Sequence, residues 1–139
     1  MAAEPLFIDS GGFYALVSPD SESYKLAVGI MREAARQRRR ALRPTTSLMK
    51  PPRCFARAAS PSCWLNSFAS PRKSQALTTE WISPARFSAA RKFMLKHLDQ
   101  EFSFTDCVSF VVMKELRLSD ALATDNHFRI ASFNPLLAD

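Results

Sequence analysis

The sequence predicts an α/β domain built on a mainly parallel sheet. Short apolar runs alternate with longer stretches of helical period, as when strands are joined by helical crossovers. Two of the runs end in aspartate, at Asp9 and Asp125. The chain has 139 residues, 47% of them hydrophobic, which suits one domain with its own core.

The elements follow in order. Leu6-Phe7-Ile8 is a short apolar run ending at Asp9, which predicts a buried strand. Ser10-Gly11-Gly12 reads as a turn or helix start, and residues 13–17 continue as a short helix. Ser18-Pro19-Asp20-Ser21 is turn chemistry. Residues 22–40 are helical in period, with Tyr24, Ala27, Val28, Met31, Ala34 and Ala35 on one face. The arginines closing that stretch suit a helix C-terminus. Residues 76–82, rich in Thr and apolar side chains, predict a strand. Ser83-Pro84 supplies a helix cap and a proline for the first turn. Phe87, Ala90, Met94 and Leu98 mark one face of the helix that follows. Residues 103–116 predict another helix, apolar nearly all round after Asp106 and therefore buried. Residues 121–124 are a short strand leading into Asp125. The order is β-α-α, a middle without a readable period, then β-α-α-β.

The formal charge is +6, a balance often read as a nucleic-acid footprint. Its distribution argues otherwise. Residues 34–79 hold ten Lys or Arg and no Asp or Glu. The rest of the chain holds nine basic and thirteen acidic residues, a net of −4. Within one domain spanning residues 1–139, residues 44–74 stand apart as a basic, proline-rich segment. Prolines at that density interrupt helices.

Several classes of protein are excluded. No run of eighteen apolar residues occurs, so no membrane span is expected. The opening residues lack a basic region followed by a long apolar one, so no secretory signal is expected. Cys54, Cys63 and Cys107 are an odd number without CxxC spacing. This pattern predicts a reducing, cytoplasmic location rather than a disulfide framework. The cysteines and the two histidines, His97 and His127, show no zinc spacing. Phosphate-loop and nucleophile-elbow patterns are absent.

Three aspartates remain as candidates. Asp9 and Asp125 close strands, and Asp106 opens a buried helix. In an open parallel sheet, ligand sites lie beyond the carboxyl ends of the strands. Carboxylates gathered there repel one another unless a cation neutralises them. Oxygen donors suit Mg²⁺ or Mn²⁺, and such ions support phosphodiester hydrolysis. The same aspartates also suit plainer roles, as a helix-dipole partner or as turn formers.

The stretch FIDSGGFYALVSPDSESYKLA resembles the opening of PIN-domain proteins, where an Asp ends the first strand. The block FSFTDCVSFVVMKELRLSDALATDNHF is more specific. It resembles the third and fourth acidic motifs of bacterial PIN domains, the VapC-like toxins of toxin–antitoxin pairs. The resemblance covers about three-quarters of the chain, residues 5–43 and 75–137. It implies a PIN-like α/β/α sandwich and metal-dependent cleavage of single-stranded RNA with Mg²⁺ or Mn²⁺. It further implies a protein antitoxin partner and a homodimer. By motif, Asp9, Asp106 and Asp125 are the implied metal-site acids, and Ser10, Ser103 and Thr105 the implied supporting hydroxyls.

One departure stands out. The family places an acidic residue in a helix after its second strand, and residues 43–74 contain no acid. Two readings of the middle stay open. One is a basic insertion that binds RNA. The other is a stretch translated out of frame. Joining the last base of each codon to the first two of the next gives Glu at the junction of Met49 and Lys50. The junction of Cys63 and Trp64 must give Leu. From Leu48 to Ala59 the code permits Asp-Glu-Thr-Ala-Thr-Leu-Leu-Arg-Ala-Arg-Gly, which resembles the absent acidic helix. A chain without that acid would be a PIN-like protein that binds RNA or antitoxin without cleavage.

Overall fold

A computed structural model describes residues 3–44 and 77–139. Residues 45–74, nearly all of the basic segment, lie outside the described residues, and with them both readings of the middle.

Five strands form one parallel sheet: β1 (Leu6–Ile8), β2 (Ala41–Pro44), β3 (Leu77–Glu80), β4 (Asp120–Leu122) and β5 (Asn134–Pro135). Their order is β3-β2-β1-β4-β5. Phe7 pairs with Leu42 on one side and with Ala121 on the other. The described helices are α1 (Ser10–Val17), α2 (Tyr24–Arg36), α3 (Pro84–Lys96), α4 (Phe104–Glu115) and α5 (His127–Ile130).

Alternation along the strands divides the core between the two faces of the sheet. Phe7, Leu42 and Ala121 point to one face and join Ala90, Phe102, Val108, Phe110, Val112 and Phe128. Ile8, Ala41 and Leu122 point to the other and meet Ala15, Leu16 and Ala27. Helices α3, α4 and α5 therefore cover one face, and α1 and α2 the other. This is the α/β/α sandwich that the sequence predicts. All of β1 is buried, as expected of a central strand in a parallel sheet.

Helix α4 forms as its sequence indicates. Ser103 and Asp106 make a reciprocal capping box, with the Asp106 amide donating to Ser103 Oγ and the Ser103 amide to Asp106 Oδ2, both at 3.1 Å. Cys107, Val108, Phe110, Val112 and Met113 are all buried. Helix α3 begins at the expected cap, Ser83, whose hydroxyl accepts from the Arg86 amide. Arg86 then ties three elements together. Its guanidinium bonds Glu80 at 2.9 Å and Glu115 at 3.0 Å, and also the Trp81 carbonyl.

Several boundaries differ from expectation. Helix α2 ends at Arg36 rather than near residue 40. Arg38 takes φ 55°, a left-handed turn that stops the helix. Arg39 then folds back to the Glu4 carbonyl and, at 3.1 Å, to Asp120. The chain is thereby aimed into β2, which the sequence left unread. On α2, Ala27 and Ala34 are buried as expected, but Ala35 is exposed. On α3, Ala90 is buried, whereas Phe87 is exposed, and Leu98, expected on the same helix, lies exposed beyond its end. Phe87 still packs its ring on Phe104, at 5.1 Å between centroids. Strand β4 ends at Leu122, so Asp125 sits on the loop beyond it. Among the described residues, no helix is long and apolar enough to cross a membrane.

Candidate metal centre

In a parallel sheet every strand delivers its carboxyl end to the same edge. At that edge β1 presents Asp9 and β4 leads to Thr124 and Asp125. Helix α1 starts directly at Asp9 and runs across the end of β4. Its approach is close because residues 11 and 12 carry no side chain. A Cβ at Gly12 would lie 1.9 Å from the Leu122 carbonyl oxygen, and one at Gly11 would lie 2.7 Å from Thr124 Oγ1. The Asp9 amide also donates to the Leu122 carbonyl at 3.2 Å. Asp9 is thus fixed beside the chain segment that bears Asp125.

Asp9 is buried, with 6% of its surface exposed. Burial pushes its carboxyl up to about 6, against the pull of the Ser10 and Gly11 amides at the start of α1. The nearby charges of Asp106 and Asp125 push the same way. Asp9 therefore feels both other aspartates of the predicted trio.

Asp106 arrives from the opposite face of the sheet, on the first turn of α4. It is buried at 8% exposure. The Ser103 amide holds its Oδ2, and His127 Nδ1 stands 3.1 Å from the same oxygen. Asp125 accepts the His127 amide on Oδ1 at 2.8 Å, and its Oδ2 lies 3.0 Å from His127 Nδ1. One donor atom each from Asp106, Asp125 and His127 fall within 4.8 Å of one another. Asp9 stands outside that tight set. His127 is the member that sequence reasoning passed over. Only its place two residues after Asp125 hinted at it, since the partner that aligns it, Asp106, comes from another helix.

The three predicted hydroxyls fare differently. Ser103 shapes Asp106 through the capping box. Ser10 is exposed at the start of α1. Thr105 engages through its carbonyl, which accepts from Ser109 Oγ at 3.1 Å. Among the described residues, neither the Ser10 nor the Thr105 hydroxyl bonds a carboxylate. Cys107, beside Asp106, is buried, and burial together with the Asp106 charge raises its thiol pKa. It remains a neutral packing group.

The donor chemistry fits a divalent cation. Three carboxyls and an imidazole gather at one edge, one carboxyl so buried that it resists ionising alone. Neutralising such a cluster takes positive charge, and its carboxylate oxygens suit Mg²⁺ or Mn²⁺.

No protein-family profile matches the chain, and no curated protein matches it by sequence. The solved structures do give a match. The crystal structure of Mycobacterium tuberculosis VapC20, described as a toxin that cleaves the sarcin–ricin loop, superposes with a TM-score of 0.73. The match has 22% identity and covers 92% of this chain and 95% of that one. The chain has the VapC-like PIN fold.

Proposed function

We propose that this protein is a metal-dependent endoribonuclease that cleaves single-stranded RNA, the toxin of a type II toxin–antitoxin pair. The supporting observation is the approach of Asp9, Asp106 and Asp125 at the carboxyl edge of a PIN-like sheet. Mg²⁺ or Mn²⁺ bound there would polarise the scissile phosphate and lower the pKa of a water for in-line attack. The chain's own groups do the rest. Asp9, Asp106 and Asp125 hold the ion. Ser103 fixes the Asp106 carboxylate in register, and the His127 amide fixes Asp125. Ser10 and Thr105 offer hydroxyls for water or phosphate at the rim. A protein antitoxin would restrain the activity in the cytoplasm, and the toxin would work as a homodimer.

A second reading rests on the absence of any Asp or Glu between residues 34 and 79. On that reading the site lacks one acid, and the protein binds RNA or antitoxin without cutting. One assay separates the two. Single-stranded RNA is incubated with the full chain in Mg²⁺ or in EDTA. The nuclease reading expects cleavage in Mg²⁺ alone. It also expects Asp106→Asn to lower the rate roughly 100-fold or more, the scale of removing one group that stabilises developing charge. Unchanged cleavage by Asp106→Asn would count against the assigned residues. Binding of RNA with no cleavage, restored when the alternative frame replaces residues 44–74, would establish the second reading.

A further inference from the structure

His127 meets two carboxylates with one nitrogen. Its Nδ1 lies 3.1 Å from Asp106 Oδ2 and 3.0 Å from Asp125 Oδ2. A ring nitrogen carries at most one proton, and one N–H shared between both oxygens makes two bent, weakened bonds. Hydrogen-bond geometry is met only toward Asp106. The spacing has a second meaning. Donors on adjacent corners of an octahedron, each about 2.1 Å from its centre, are about 3.0 Å apart. Both nitrogen–oxygen distances match that edge.

The imidazole is held in place. The His127 amide is bonded to Asp125, and the Phe102 ring packs edge-on against the imidazole, 5.5 Å between centroids. Phe102 is itself buried. The Nδ1 atom is thus preset toward the space between Asp106 and Asp125.

We infer that His127 Nδ1 is a ligand of the bound metal ion, alongside Asp106 and Asp125. The ring then takes the tautomer with its proton on Nε2, leaving the Nδ1 lone pair for the ion. This rests on the reading of the acidic cluster as a metal centre. It adds a consequence that carboxylates alone do not give. A nitrogen donor favours first-row transition ions over Mg²⁺, which prefers oxygen and keeps its water. The centre is therefore tuned away from Mg²⁺ and toward first-row transition ions, with Mn²⁺ as the probe.

Pulsed electron paramagnetic resonance of the full chain loaded with Mn²⁺ tests this without any assay of activity. The expected spectrum carries a nitrogen hyperfine coupling that changes when the protein is labelled with ¹⁵N-histidine. The coupling disappears in His127→Ala and persists in His97→Ala. His97 is the other histidine of the chain, and its Nδ1 is occupied 2.8 Å from the Phe93 carbonyl. Titration with Mn²⁺ alone and with Mg²⁺ alone is expected to show His127→Ala losing about tenfold in Mn²⁺ affinity, with a smaller loss for Mg²⁺. Mn²⁺ binding with no nitrogen coupling in the unsubstituted protein overturns the inference and leaves the metal-centre reading standing. Failure of the unsubstituted protein to bind either ion overturns both. The labelled, unsubstituted protein decides the matter even if His127→Ala does not fold.

Discussion

Gly12 lies so close to Leu122 that a Cβ at residue 12 would sit 1.9 Å from the Leu122 carbonyl oxygen and 2.8 Å from its carbonyl carbon. Both atoms are backbone of a central strand, so neither can rotate away. Gly12→Ala must lift α1 from β4. The expected loss is about 3 kcal/mol or more, the upper range for overpacking a well-filled core. Gly11→Ala is crowded only by the Thr124 hydroxyl, at 2.7 Å, the Thr124 amide nitrogen lying at 3.7 Å; the hydroxyl can turn aside, so its loss is expected to be smaller. Urea unfolding of the two variants checks the order. Equal losses would mean that α1 moves more freely than the packing indicates.

Asp9 sets a pH dependence. Its carboxyl titrates near 6 in the folded chain, against 3.8 for an unhindered aspartate. The folded state therefore holds this proton more tightly than the unfolded state. Stability from this group is full below about pH 3.8 and is lost as pH rises through about 6. The loss amounts to about 3 kcal/mol. In EDTA, Asp9→Asn is expected to be the more stable protein at pH 8 and to lose that advantage toward pH 4. Denaturant unfolding across this range measures the difference. An Asp9→Asn protein no more stable at pH 8 would show that burial of Asp9 is not costly.

Ser103 both starts α4 and holds Asp106. Ser103→Ala removes the hydroxyl acceptor of the capping box while leaving the backbone donor in place. The expected cost is about 1 kcal/mol, or about 3–5 °C in Tm. A thermal melt checks it. An unchanged Tm would mean that solvent caps the helix equally well.

These positions differ in how far sequence alone reveals them. Asp106 was legible as the opening of a helix because an acid ahead of an apolar run is a local signal, whereas its capping box with Ser103 emerges only in the structure. Helices α3 and α4 were legible because their starts and periodicity are likewise local. Strand β2 was not. Ala41 and Leu42 follow a run of arginines that reads as helix end, and Pro44 reads as a breaker. Only the turn at Arg38 and the pairing with β1 and β3 make this stretch a strand. Helix α5 and strand β5 have four and two residues, too few for any period. The aspartates were singled out because strand ends and helix starts are local features. His127 was missed because its alignment depends on Asp106 and Phe102, neither of which is near it in sequence.

The order of the sheet has a consequence for biosynthesis. Strand β1 is made well before its neighbour β4, with Ile8 paired to Leu122. Pairings so distant along the chain form late. A nascent chain on the ribosome holds Asp9 long before Asp125 exists to face it. Truncated products that stop before residue 120 lack β4 altogether. For a chain read as a nuclease, the centre is completed only once residues 106, 125 and 127 have all been made.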